Sequence, residues 1–325
     1  MGIFLRLPRR KRLAMTARYL VPLSIVNCPL SIATNGGILR KMRKGVGAVK
    51  ADCHIHAVLD GIDWKASLRR GIDEPLLRSW LQRYQSLGYT YLRDGGDRWG
   101  VGARARDLAP DYGITYRTPL APLCKAGHYG SFIGTGWENL TDYSRLVVQH
   151  RENGADFIKI MISGLMDFDR FGRLTEEGLP AREIRELVHI AHEEGMAVMA
   201  HCNGPETAIP AAEAGVDSVE HGAYYNKETL WALRESGTVW VPTVSTVGNL
   251  LGKGRFHEDA VARILESLLE NIRQFRALGG IIAPGSDAGA WAVPHGCDTE
   301  YDWLQKAGLT QEDLDRGIFA IQSRF

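Results

Sequence analysis

The chain has 325 residues, 45% of them hydrophobic and 24% charged, an ordinary globular composition with length for one large core or two modest ones. Its net charge of +1 gives no electrostatic case for nucleic acid or a membrane surface as partner. The five cysteines, Cys28, Cys53, Cys124, Cys202 and Cys297, are odd in number and lack a Cys-x-x-Cys, which speaks against a disulfide framework or zinc knuckle and for a reducing cytoplasm.

Residues 1–50 stand apart. No Asp or Glu precedes Asp52, whereas Arg9, Arg10, Lys11, Arg12, Arg18, Arg40, Lys41, Arg43 and Lys44 do, with an apolar run from Tyr19 to Ala33 between them. Basic then apolar is the form of a secretory signal. Pro22, Asn27 and Pro29 interrupt the run, it is too short to span a bilayer, and no small-x-small cleavage site follows. Residues 1–50 therefore read as a basic leader with possible remnant strands, ahead of a main domain over 51–325.

The main domain opens on Ala51-Asp52-Cys53-His54-Ile55-His56-Ala57-Val58, a strand whose alternation sends Asp52, His54 and His56 to one face. Two imidazoles on one face lie within reach of one metal ion. Leu76, Leu77, Trp80, Leu81, Tyr84 and Leu87 follow a helical period over Glu74–Leu87, stopped by Gly88. Tyr89–Arg93 is the second strand, Val101–Ala109 a short helix, and Ile114–Leu123 the third strand. Trp137–Asn153 is a helix with Gly154 beyond it. Phe157–Ile162 is an apolar fourth strand, of the kind buried on both faces, that nonetheless contains Lys159.

A long loop, Leu165–Gly178, precedes a helix over Pro180–Glu194. Met196–Ala200 is strand five, ending in His201, and Pro205–Ala214 a helix. Val216–Glu220 is strand six, ending in His221, and Lys227–Ser236 a helix. Val239–Thr243 is strand seven and Glu258–Leu278 a long helix. Ile281–Pro284 is strand eight, ending in Gly285-Ser286-Asp287, with helices around 298–306 and 311–322 to finish. Eight strands alternating with helices predict an α/β fold, a (β/α)8 TIM barrel of the usual ~250 residues. An open doubly wound sheet is the alternative, disfavoured because no Gly-x-Gly-x-x-Gly follows strand one.

In a barrel the carboxyl ends of the strands share one mouth, where active sites form. His54, His56, Lys159, His201, His221 and Asp287 all fall at such positions, and imidazole with carboxylate suits Zn²⁺ or a similar ion. Lys159 is the odd member, since a buried ammonium is costly and repels a cation.

The order His-x-His, Lys, His, His, Asp on strands one, four, five, six and eight resembles the amidohydrolase superfamily. Gly154-Ala155-Asp156-Phe157-Ile158-Lys159-Ile160, Ala200-His201-Cys202, Ser218-Val219-Glu220-His221-Gly222 and Gly285-Ser286-Asp287-Ala288 are similar to the branch of Xaa-Pro dipeptidases, arginine carboxypeptidase-like enzymes and imidazolonepropionase-like proteins. The resemblance implies a binuclear metal-dependent hydrolase of carbon–nitrogen bonds in a small-molecule substrate. Lys159 would carry a CO₂-derived carbamate bridging two divalent ions, zinc foremost. His54 and His56 would hold one ion with Asp287, and His201 and His221 the other. A hydroxide between the ions would attack the substrate carbonyl, with Asp287 as catalytic proton shuttle. His128, in Ala126-Gly127-His128-Tyr129-Gly130, and Tyr224 would contact substrate, and a homo-oligomer is expected. The branch's small β-sandwich reads as reduced or absent.

Two other functions compete. A mononuclear deaminase of a heterocyclic amine is disfavoured because His201-Cys202-Asn203-Gly204 lacks the Glu such relatives carry. A non-catalytic binding barrel is disfavoured by the intact ligand set. His189 and His192 are spaced i, i+3 rather than as His-Glu-x-x-His, and read as a solvated helix face.

Overall fold

The computed structural model describes residues 50–325, so the leader and remnant strands expected over 1–50 lie outside the described residues, Lys50 excepted. In chain order the structure runs β1 (Lys50–Ile55), α1 (Trp64–Arg70), α2 (Glu74–Ser86), β2 (Tyr89–Asp94), α3 (Val101–Leu108), a 3₁₀ turn (Ala109–Tyr112), β3 (Thr115–Arg117), β4 (Leu123–Lys125) and β5 (Thr135–Trp137). It continues with α4 (Leu140–Glu152), β6 (Ile158–Met161), α5 (Ala181–Glu193), β7 (Val198–Cys202), α6 (Pro205–Glu213), β8 (Ser218–His221), α7 (Lys227–Ser236) and β9 (Val239–Val241). The chain then forms α8 (Ser245–Gly248), α9 (Glu258–Ala277), β10 (Ile281–Ile282), α10 (Thr299–Lys306) and α11 (Gln311–Arg324).

The fold is α/β with parallel strands. One sheet has the order β1-β2-β3, and a second the order β10-β9-β8-β7-β6-β4-β5. Backbone hydrogen bonds connect the two. Cys53 N donates to Pro284 O at 2.8 Å, Asp287 N to His54 O at 2.7 Å and His56 N to Ala288 O at 2.7 Å. Beyond β3, Asp156 N donates to Thr118 O at 3.0 Å.

Alternation along the strands divides the core. Ile158, Ile160, Val198, Ala200, Val219 and Trp240 pack outward against Ile184, Leu187, Leu230, Leu233 and Phe275 of the helices. A second cluster joins Ala51, Cys53, Tyr91, Phe157, Met199, Val239, Val241 and Ala283 to Ile318, Ile321 and Phe325 of the last helix. The intervening residues Lys159, His201 and Glu220 are thereby set opposite the helical layer.

The expected third strand divides in two. Leu120 adopts φ 64° between Pro119 and Pro122, so Thr115–Arg117 pairs with β2 whereas Leu123–Lys125 pairs with β5 and β6. The expected helix from Trp137 begins at Leu140, where Asn139 caps the Asp142 N–H, because Thr135–Trp137 is drawn into a strand. Helix α1 was not expected. Its Asp63 cap holds Ala66 N, but its exposed face carries no strong apolar period. Among the described residues no helix is long and apolar enough to cross a membrane, and the four described cysteines are free.

Candidate active site

Strand ends bring His54, His56, Lys159, His201, His221 and Asp287 together. His56, Lys159, His201, His221 and Asp287 line the floor of one cavity of about 800 Å³, within the usual size for small-molecule sites. His54 lies directly behind, fully buried. His54 Nε2 is 3.4 Å from His56 Nε2, and Asp287 Oδ1 is 3.6 and 3.4 Å from the same two atoms. These separations match the edge of a tetrahedron of ligands, ~3.3 Å for an ion with bonds of ~2.0–2.1 Å. His54, His221 and Asp287 also offer ligand atoms within 4.8 Å of one another. The His201 and His221 rings are 4.5 Å apart by centroid.

His221 reaches the floor by a backbone device. Val219 faces the helices and Glu220 the interior, so alternation alone would turn His221 outward with Val219. Its φ of 71° turns it instead toward the cavity, where Nδ1 meets Thr243 Oγ1 at 2.8 Å. Asp287 has φ 58° and Thr243 φ 47°, both in the same left-handed region that L-residues seldom occupy. Asp52 pins the turn carrying Asp287 to β1, accepting from Ser286 N at 2.8 Å and Ser286 Oγ at 2.5 Å. At Gly95 any side chain would collide with the His56 ring, a Cβ falling 2.3 Å from Cε1.

Each imidazole is neutral, the form that ligates a metal. Burial, then the Lys159 charge, pushes His56 and His201 down to about 3 and His54 well below the ordinary histidine value. Burial with the neighbouring histidines does the same to His221. Burial lowers the Lys159 ammonium toward its neutral amine and raises the Asp287 carboxyl far above the usual carboxylate range. Partners fix the ring protons. Glu220 Oε2 accepts from His54 Nδ1–H at 2.7 Å, and Gly164 O accepts from His201 Nε2–H at 3.2 Å.

Glu220 and Arg93 are members that the sequence reading missed. Both are fully buried. Arg93 donates to Glu220 Oε1 at 2.9 Å, Ser218 Oγ at 3.0 Å and Cys53 O at 2.7 Å. The reasoning that singled out a charged Lys159 inside an apolar strand applies equally to these two, and would have paired them.

The expected substrate contacts fall elsewhere. His128 and Tyr224 are not among the cavity-lining residues. His128 is half-buried, its Nδ1 3.6 Å from Glu176 Oε1, and Tyr224 packs edge-on against Phe171. Tyr129, the neighbour of His128, lines the cavity and stacks against His201 with centroids 4.7 Å apart. Trp64, Phe132, Phe168, Phe256 and Trp291 form further walls.

The donor set fits divalent cations. Besides the tetrahedral spacings, Lys159 Nζ and Asp287 Oδ1 are buried without a hydrogen-bond partner, as groups are that await a ligand.

No family model matches the chain. Among curated proteins it is similar to the ochratoxinase of Aspergillus niger, 27% identical over 219 residues, 63% of this chain and 42% of the relative. The chain thus spans less than half the length of that relative. Among solved structures it resembles a Xaa-Pro dipeptidase with bound methionine in the active site, at TM-score 0.68 and 22% identity over 84% of this chain and 74% of the other. It likewise resembles a prolidase complexed with N-methylphosphonate-L-proline, at TM-score 0.67 and 20% identity over the same shares of each chain. The chain has the fold of this dipeptidase and this prolidase, in line with the resemblance read from its sequence.

Proposed function

We propose that this protein is a metal-dependent hydrolase that cleaves the carbon–nitrogen bond of an amide, a peptide or a cyclic amide. Its scaffold in this reading is a closed (β/α)8 barrel over 51–325. Hydrogen bonds from β1 to the segment after β10, and the inward cluster drawn from strands all around, support that closure. One observation carries the reading: three imidazoles, a carboxyl group and a lysine with an unpartnered Nζ converge on the floor of a single cavity, with the His54 ring directly behind them.

His54, His56 and Asp287 would hold one divalent cation, zinc by donor type, and His201 and His221 a second. Lys159 would bridge them as a carbamate. The ammonium would lose one proton, the freed amine lone pair would form an N–C bond to CO₂ as one C–O π bond opens onto oxygen, and a second proton would leave the nitrogen, so that a cation becomes a two-oxygen anionic ligand. Bound there, the metals supply Lewis acidity toward the amide carbonyl and an activated water. Asp287, whose Oδ1 lies 3.6 and 3.4 Å from the His54 and His56 Nε2 atoms, would take the proton of the nucleophile and pass it to the departing nitrogen. Tyr129 and the aromatic walls orient the substrate and exclude water from the floor.

The test is metal content by elemental analysis for wild type and Lys159→Ala, beside a screen of dipeptides and N-acyl amino acids. About two equivalents in wild type, falling in the variant together with turnover, is the expected outcome. A protein that binds no divalent metal, or a variant that keeps its full metal and activity, overturns the mechanism.

A further inference from the structure

We infer that Arg255 is a carboxylate-binding residue at the cavity wall, which makes the preferred ligand an apolar or aromatic molecule with a free carboxylate. This rests on the proposed hydrolase only for the scissile bond; the binding itself stands separately. Lys159 and Arg255 are the two cationic side chains on the cavity lining. Lys159 lies at the buried floor, whereas the Arg255 side chain is solvent-facing and stacked over Trp291, its guanidinium 4.3 Å from the ring centroid. It is also 5.4 Å from the Phe256 ring.

A guanidinium lying on an aromatic face keeps its N–H edge available while the ring limits its orientations. That edge has no carboxylate or hydrogen-bond acceptor within reach among the described residues, unlike Arg93, Arg104 or Arg276. The wall acids are otherwise occupied: Asp63 caps α1 through Ala66 N, and Asp167 accepts from Asp169 N. Arg170 and Arg173, in the Leu165–Gly178 loop, are not on the lining. An Arg seated over a ring with its N–H groups unclaimed is available for bidentate recognition of a carboxylate. The rings beside it take the apolar part of the ligand.

The test is calorimetric titration of 4-phenylbutanoate, and of 4-phenylbutanol as its neutral counterpart, into metal-loaded wild type, Arg255→Met and Arg255→Lys. Neither probe has a C–N bond to cleave. Met keeps the alkyl contact with Trp291 and removes the charge. Arg255→Met should weaken 4-phenylbutanoate about 10- to 100-fold relative to the alcohol, with Arg255→Lys between, as expected for loss of a charge-assisted pair. Where turnover is found, kcat/KM for N-benzoyl-L-phenylalanine over its carboxamide should fall by a similar factor, through KM. Equal 4-phenylbutanoate affinity in wild type and Arg255→Met overturns the inference. An Arg255-dependent affinity without any turnover would instead leave the inference standing and count against the hydrolase.

Discussion

Glu220 has both carboxylate oxygens committed, one to Arg93 and Ser218 and the other to the His54 ring. It therefore sets which His54 nitrogen faces Asp287. Glu220→Gln should lower divalent-metal affinity about 10–100-fold, read by competition with a chelator, since outer partners of ligating histidines have effects of that size. Unchanged affinity would reduce Glu220 to a packing role. The same substitution uncovers the Arg93 charge, and loss of one partner of a buried pair typically costs ~3–5 kcal/mol, so urea denaturation should accompany the titration. The histidines, Lys159 and Asp287 were legible in the sequence because a polar residue at the end of an apolar strand is conspicuous. Glu220 was hidden beside His221, and Arg93 closed what read as an ordinary strand. Thr243 and Tyr129 carry no such signal, because a hydroxyl and an aromatic ring belong equally well in any core.

At the scale of elements, helices with a clear apolar period were legible almost to the residue: Lys227–Ser236 was read with its observed ends. Segments decided by tertiary pairing were not, as the division of the third strand at Leu120 and the capture of Thr135–Trp137 into a sheet illustrate. His192, read as a solvated face, does more than that. Its Nε2 lies 2.9 Å from Asp217 Oδ2, and Asp217 also accepts from Val198 N, so α5 is tied to the starts of β7 and β8. The Asp217 hydrogen bond raises the His192 pKa above its usual 6.5. The resulting stability is fully present below pH ~6.5 and disappears as pH rises through the folded-state pKa. Relative to His192→Gln, wild type should be the more stable at pH 6 by less than ~1 kcal/mol, as suits a partly exposed pair, and the gap should close by pH 9 in urea denaturation. Gly317 presents a sharper constraint. A Cβ there would stand 1.9 Å from Ile282 O, so α11 rests directly on the β10 backbone. Gly317→Ala should lower unfolding free energy by at least ~1–3 kcal/mol, the range for overpacking, and a thermal melt unchanged from wild type would show that the helix can lift away.

Across the whole molecule, the floor of the cavity belongs to strand ends and its walls to loops. Among the described residues six non-glycine residues are held at positive φ, namely Leu120, His221, Tyr224, Thr243, Asp287 and Ala292. Two of them, His221 and Asp287, line the floor, and a third, Thr243, meets the His221 ring at 2.8 Å. Such conformations cost about 1–3 kcal/mol each, and Asp287 adds an unpartnered buried oxygen. Asp287→Gly should therefore melt at a higher temperature than wild type when both are kept in chelator, with the order reversed once divalent metal is supplied; a lower melt in chelator would mean the backbone there is unstrained. A chain selected for folding alone would place glycine at those three positions. Histidine, threonine and aspartate occupy them instead, and a backbone kept strained where glycine would relax it is what the proposed chemistry at this floor would require.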